Sequence, residues 1–386
     1  MSVQIGKIKG IPIRLHFTLV IVFLLISWTI ATALMPDFVP GLADSDYWII
    51  GLASAATLFI SVLLHELSHS IVATRYGVKV RQIMLFAFGG VSDITAELRD
   101  YGKEAKMAFA GPLTSFALSG IFALFYWLII MQQVLPFSGA AFEITKGVLY
   151  YGAFINLVLG LFNLIPAFPS DGGRLLRAAF MKRNNDYDEA TKKAAQVGIA
   201  ISYGFMAIGF VVIVSGGFLG GIWIILIGWF LMSGAQSYLA QIQLSSTLSS
   251  LRIRNIMNTN IISVRPNVPV NTLIESYFRT YMKSAFPVVD SSNRLVGMVN
   301  LKRALAVLPE KQTELTAADI MIPKSDLAIM SAEDDANSAL MAMVKSGTGR
   351  VFVCDAAGHL IGIVSKTDIL YVEIERNEYV RELKSR

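Results

Sequence analysis

Apolar residues gather in six long runs along this chain, at about 17–35, 48–73, 105–131, 148–168, 194–215 and 218–238, each with few or no charges. A helix rises about 1.5 Å per residue and the hydrocarbon core of a bilayer is about 30 Å thick, so runs of roughly 18 residues or more predict membrane spans. The connections between the runs differ in sign. Lys7, Lys9 and Arg14 precede the first run, whereas the connection between the first and second holds Asp37, Asp44 and Asp46 with no Lys or Arg. Arg75, Lys79, Arg81, Arg99, Lys103 and Lys106 crowd the next connection, Lys146 alone marks the one before the fourth run, and Arg174, Arg177, Lys182, Arg183, Lys192 and Lys193 make the fifth connection basic again. Because Lys and Arg accumulate on the cytoplasmic side of short loops, six spans with both termini cytoplasmic satisfy every connection. The first run reads as a signal anchor, since no small-residue cleavage site follows it. Residues 78–95 are β-branched and apolar but too short to span, and they predict a sheet-like or re-entrant element near the cytoplasmic face.

The pattern changes after Gln241. A polar stretch, 241–253, reads as a linker, and beyond it the chain has ordinary soluble character and repeats itself. Ile256 and Met257 recur as Ile320 and Met321, "FPVVD" at 286–290 as "VFVCD" at 351–355, and "LVGMVN" at 295–300 as "LIGIVS" at 360–365, at an offset of 64 or 65 residues. The expected organisation is a membrane domain at 1–240, the linker, and two α/β units at 254–312 and 313–386, the second including a C-terminal tail. The fold class is therefore a polytopic α-helical membrane protein with a C-terminal cytoplasmic α/β pair.

Composition agrees, with 54% hydrophobic and only 16% charged residues in 386. The formal charge of +5 is small for this length, and the basic residues sit where spans already explain them, so no nucleic acid partner is expected. One cysteine, Cys354, excludes an intrachain disulfide framework and a multi-cysteine metal knot.

Candidate chemistry lies inside the second run, where "HELSH" places His65, Glu66 and His69 in apolar surroundings. Positions four apart share a helix face, so the two imidazoles point the same way with the carboxylate beside them. That arrangement suits a single zinc ion held by His65 and His69, with Glu66 as general base toward water whose pKa the metal lowers. The plainer alternative is a pair of interhelical hydrogen-bonding histidines, but ionisable groups inside spans are expensive and usually functional. Catalytic zinc needs a third protein ligand, and Asp171 is the best candidate. It follows Pro166 and Pro169, which break the fourth run, and precedes Gly172 and Gly173, which permit an irregular turn. Capping the next helix is its alternative role. Both the second and fourth spans run toward the cytoplasm, which brings all three residues to one depth.

At these residues the chain resembles the site-2 proteases, zinc metalloproteases that cut within membranes. The resemblance rests on "HELSH" and on "NLIPAFPSDGG" at 163–173, with lesser matches at Gly89, Gly90 and "AGP" at 110–112. It covers most of residues 1–240. It implies His65, His69 and Asp171 as zinc ligands, Glu66 as general base, and Asn163 as a substrate-contacting or oxyanion-stabilising residue, for which an interhelical hydrogen bond is the alternative. Where the family often has Asn, three residues after the proline of "AGP", this chain has Ser115. The implied substrate is a single-pass membrane protein such as a membrane-bound transcription factor, an anti-sigma factor or a leftover signal peptide. The implied location is the lipid bilayer of a prokaryotic cell membrane. His16 reads as interfacial rather than as a ligand.

Each soluble unit resembles a cystathionine-β-synthase (CBS) domain, two of which pair to bind adenine nucleotides and can join chains into a homo-oligomer. The resemblance implies ATP, ADP or AMP against Gly362, Ser365 and Asp368. The first copy has Gly297, Asn300 and Arg303 there and loses the carboxylate, so one competent site is expected. A purely structural pair is the alternative. The leading reading is an intramembrane zinc endopeptidase, and the runner-up a CBS-regulated ion transporter or channel, which would need ligands but no general base.

Overall fold

Six helices among the described residues of the computed structural model, 2–87, 89–131 and 139–371, are long and apolar enough to cross a membrane. They are α1 (Thr18–Phe38, with a π turn at Ile30–Leu34), α2 (Asp44–Arg75), α3 (Tyr101–Ile130), α4 (Ala140–Asn163), α6 (Tyr187–Val214) and α7 (Phe218–Ser250). A shorter helix, α5 (Asp171–Asn184), lies between α4 and α6. Leu24, Phe125, Phe210 and Trp223 stand exposed on these helices, as side chains facing lipid do. The chain divides into two compact units, Met1–Ala240 and Gln241–Arg386. The tail expected after the second repeat lies outside the described residues from 372 onward.

In the first unit, the sheet-like element expected at 78–95 is present as β3 (Val80–Phe86) and β4 (Gly89–Ile94). It belongs to a larger sheet that the pattern of the N-terminus did not announce. Two further strands, β1 (Ser2–Ile8) and β2 (Ile11–His16), join it in the order β1-β2-β3-β4, with β2 and β3 parallel and the other pairs antiparallel. Alternation drives the packing: Ile11, Ile13, Ile83 and Leu85 are buried, and Ile11, Ile83 and Leu85 pack on α2 with Val62, Leu63 and Leu67. This lays β4 along α2. His16 ends β2 and meets Thr18 Oγ1 through Nδ1 at 2.9 Å, away from any metal role.

The fourth apolar run ends earlier as a helix than its hydropathy suggests. Helix α4 stops at Asn163 and the chain turns before α5, because Pro166 and Pro169 cannot supply the amide hydrogens that a helix needs. Gly172 is required for close approach: a Cβ there would stand 2.3 Å from Ile165 O and 2.4 Å from Leu164 O, so the turn folds directly onto the first turn of α5.

In the second unit, β5 (Ala285–Val289), β6 (Leu295–Asn300) and β7 (Ile322–Pro323) form one sheet in that order, and β8 (Ile329–Met330), β9 (Arg350–Cys354) and β10 (Leu360–Ser365) form another in the order β10-β9-β8. The repeated "IM" and glycine positions have a common cause. Met257 of the first copy packs on Gly362 of the second, and Met321 of the second packs on Gly297 of the first, where a Cβ would lie 2.5 Å from either sulfur. Each repeat thus completes its partner.

The stretch expected to be a linker is mostly helical. Helix α7 continues to Ser250, and Leu248 is fully buried in the core of the second unit, with Leu244 and Leu251 packed against it. Leu244, Leu248 and Leu251 recur at helical spacing, so an apolar stripe runs through a segment whose overall composition is polar.

Candidate metal centre

His65 and His69 lie on one face of α2, as their spacing requires, and both are buried. The first turn of α5 brings Asp171 to them: its Oδ2 lies 3.1 Å from His65 Nε2 and 3.0 Å from His69 Nε2. Asp171 does not cap the helix. Ser170 occupies the N-cap position, and Asp171 is the first helical residue, also buried.

The three donors lie within 4.8 Å of one another, and no other group of three or more such side chains is positioned to hold a metal among the described residues. Three ligands about 2 Å from one zinc ion in tetrahedral array stand roughly 3.3 Å apart, so the donor set fits. A second observation gives the same answer. At Gly111 on α3 a Cβ would sit 2.2 Å from His69 Nε2 and 2.4 Å from His65 Nε2, in the space an ion would use. The glycine of "AGP" keeps that volume free of side chain.

Both imidazoles are oriented from α3. His69 Nδ1 donates to the carbonyl of Met107 at 2.7 Å, so that ring's Nε2 keeps its lone pair toward Asp171. His65 Nδ1 pairs with Ser115 Oγ at 2.9 Å. Ser115 is therefore a support for a histidine, a part that the departure from the family's asparagine concealed.

Glu66 turns to the other side, where Ser92 Oγ on β4 lies 2.8 Å from its Oε2 and accepts in turn from Ser70 Oγ at 3.1 Å. A cavity of about 460 Å³ opens here, lined by His65, Glu66, His69, Asp171, Asn163, Arg174 and the residues of β4 from Gly89 to Ser92. Asn163 thus reaches the same space as the donor set, its Nδ2 bonded to Leu159 O of its own helix at 2.9 Å. The task of tying one span to another belongs to a different amide, Asn156, which donates to Ser61 Oγ of α2 at 2.9 Å.

Arg177, one of the basic residues whose position suggested a solvated loop, is only 1% exposed. It forms a buried ion pair with Glu104 of α3 and lies over the rings of Phe168, Tyr187 and Tyr238 at 5.4, 4.6 and 5.9 Å. The pair joins α5 to α3, hence the helix bearing Asp171 to the helix that orients both histidines.

In the second unit, Asp368 Oδ2 accepts from the backbone N–H and the hydroxyl of Ser365, each at 2.7 Å. Both residues line a cavity of about 360 Å³ together with Asn258, Lys283 and Arg350. Gly362 does not line it and instead packs on Met257. In the first copy Asn300 caps its helix through the N–H of Arg303, and the Arg303 guanidinium donates to the carbonyls of Ile320 and Met321.

Residues 53–147 and 128–205 match peptidase family M50, and residues 253–310 and 317–375 each match the CBS domain. A zinc metalloprotease of Methanocaldococcus jannaschii is 31% identical over 96% of this chain and 95% of its own length. The protein Rip3 of Mycobacterium tuberculosis is 30% identical over 95% of this chain and 92% of its own. Among solved structures, the site-2 protease from Methanocaldococcus jannaschii has 33% identity and a TM-score of 0.41, covering 62% of this chain and 95% of that one.

Proposed function

This chain belongs to peptidase family M50, the site-2 zinc metalloproteases, and we propose that it cuts one peptide bond within or near the transmembrane segment of a single-pass membrane protein, releasing a cytoplasmic product. The observation that carries this reading is the convergence of His65, His69 and Asp171 on the space left by Gly111, with Glu66 in the same cavity.

In this reading the two histidines and Asp171 hold one zinc ion, which lowers the pKa of water and polarises a carbonyl oxygen when bound. Glu66, steadied by Ser92, takes a proton from the attacking water and returns it to the leaving nitrogen. Asn163 offers its amide to the substrate backbone. A helical substrate has its carbonyls engaged and must unwind before attack. Strand β4 pairs with β3 along one edge and lines the cavity, so its other edge suits an extended segment held by backbone hydrogen bonds. The loop charges support cytoplasmic termini and a cytoplasmic product. The cavity holding Ser365 and Asp368 supports an adenine nucleotide as regulator.

Quantitative proteomics of membrane fractions from cells carrying wild-type or Glu66→Gln protein tests this. A single-pass protein or remnant should accumulate intact with the variant, and identical membrane proteomes would contradict the reading.

A further inference from the structure

One charged side chain in the metal cavity has no task in the chemistry above. Arg174 lies three residues beyond Asp171 on α5, close to one helical turn, and lines the same cavity as His65, Glu66 and Asn163. Its Nε is buried without a hydrogen-bond partner, and no ion pair engages its guanidinium among the described residues. Arg177, the next arginine on the helix, is by contrast committed to Glu104. A guanidinium presents five N–H donors in a fixed fork and stays protonated. Leaving it unpaired in a partly buried site is costly, and the cost is relieved when an anion arrives.

The charge balance says which anion. Glu66 and Asp171 together offset a divalent ion, so the cavity is neutral before Arg174 is counted and carries one surplus positive charge afterwards. Resting on the peptidase reading, we propose that Arg174 holds the oxygen of the scissile carbonyl while charge develops on it, and then the carboxylate that cleavage creates. Water adds its oxygen to the carbonyl carbon and gives a proton to Glu66, while the C=O π pair moves onto the oxygen facing Arg174. That pair then re-forms the carbonyl as the C–N bond breaks, its electrons passing to nitrogen, which takes the proton from Glu66. The remaining acid passes its proton to the freed amine and becomes a carboxylate, again opposite Arg174. Negative charge thus moves from Glu66 to the substrate oxygen, returns to Glu66 as the C–N bond breaks, and appears anew on the product carboxylate, balanced by the product ammonium.

The competing role is structural. Glu104 lies close enough to feel the charge of Arg174, and its Oε2 is buried without a partner. An arginine serving only Glu104 would be indifferent to charge on a peptide.

The test uses the zinc-loaded full chain in detergent, made inactive by Glu66→Gln, with N-acetyl-trileucine and its C-terminal amide as probes. Arg174→Ala should erode the preference for the carboxylate by about 10- to 100-fold, the range expected for a hydrogen bond to a charged group. Zinc content should stay unchanged, Arg174→Lys should keep part of the preference, and millimolar guanidinium ion should restore it to Arg174→Ala. An unchanged preference in Arg174→Ala overturns the inference and leaves the peptidase reading standing, and a loss that tracks loss of zinc overturns it in favour of a structural role. No zinc-dependent peptide binding in the Glu66→Gln protein itself would count against both.

Discussion

Ser115 Oγ on α3 lies 2.9 Å from His65 Nδ1 on α2, on the side of the ring opposite the nitrogen that meets Asp171. A partner at the far nitrogen fixes both the orientation and the basicity of a ligating imidazole, and its loss typically weakens metal affinity about 10- to 100-fold. Ser115→Ala should therefore bind zinc more weakly by that order in a competitive chelator titration. Unchanged affinity would reduce Ser115 to a packing residue.

Gly111 makes a sharper demand, because a Cβ cannot coexist with the two Nε2 atoms at 2.2 and 2.4 Å. Gly111→Ala should purify with little or no zinc, and elemental analysis of the protein reads this directly. One zinc per chain in that variant would mean that the metal does not use the space between these nitrogens.

Much of the candidate site is legible because its chemistry is local in sequence: His65 and His69 fall four residues apart on one helix with Glu66 beside the first, and charges inside a span are conspicuous. Depth and the preceding prolines point to Asp171 as a companion of the histidines. The roles of Ser115, Ser92 and Gly111 are not legible, since each acts across a tertiary contact that spacing does not encode. Arg174 and Arg177 read as loop charges, because composition cannot tell a solvated arginine from one turned into a cavity or paired with a buried Glu104. Strands β1 and β2 were missed because a short N-terminal hairpin beside a span has too few residues to show a period, and the helical run to Ser250 because serines hide the stripe of Leu244, Leu248 and Leu251.

The buried Glu104–Arg177 pair predicts a stability effect. Removing one partner leaves an uncompensated buried charge, at about 3–5 kcal/mol. Arg177→Met should destabilise the membrane unit by that order in denaturant titrations in detergent, and Glu104→Gln combined with it should recover part of the loss. Additive losses in the double variant would show that the two charges do not depend on each other.

The second unit offers an asymmetry to test. Asp368 lines the cavity beside Ser365, whereas Arg303 is folded onto the carbonyls of Ile320 and Met321. Calorimetry on the full chain should find binding of ATP, ADP or AMP that Asp368→Ala weakens by tenfold or more and Arg303→Ala changes little. No heat with any of them at millimolar concentration would leave the repeats as an assembly module.

The central claim is that Glu66 moves a proton and holds no metal, and zinc content and cleavage measured on one preparation of Glu66→Gln test it most directly. General-base catalysis contributes roughly 10²- to 10⁴-fold, so the variant should carry one zinc per chain, as the wild type does, while turnover of the membrane substrate falls by at least that factor. Loss of zinc together with activity would make Glu66 a ligand, and retained cleavage would remove it from the chemistry altogether.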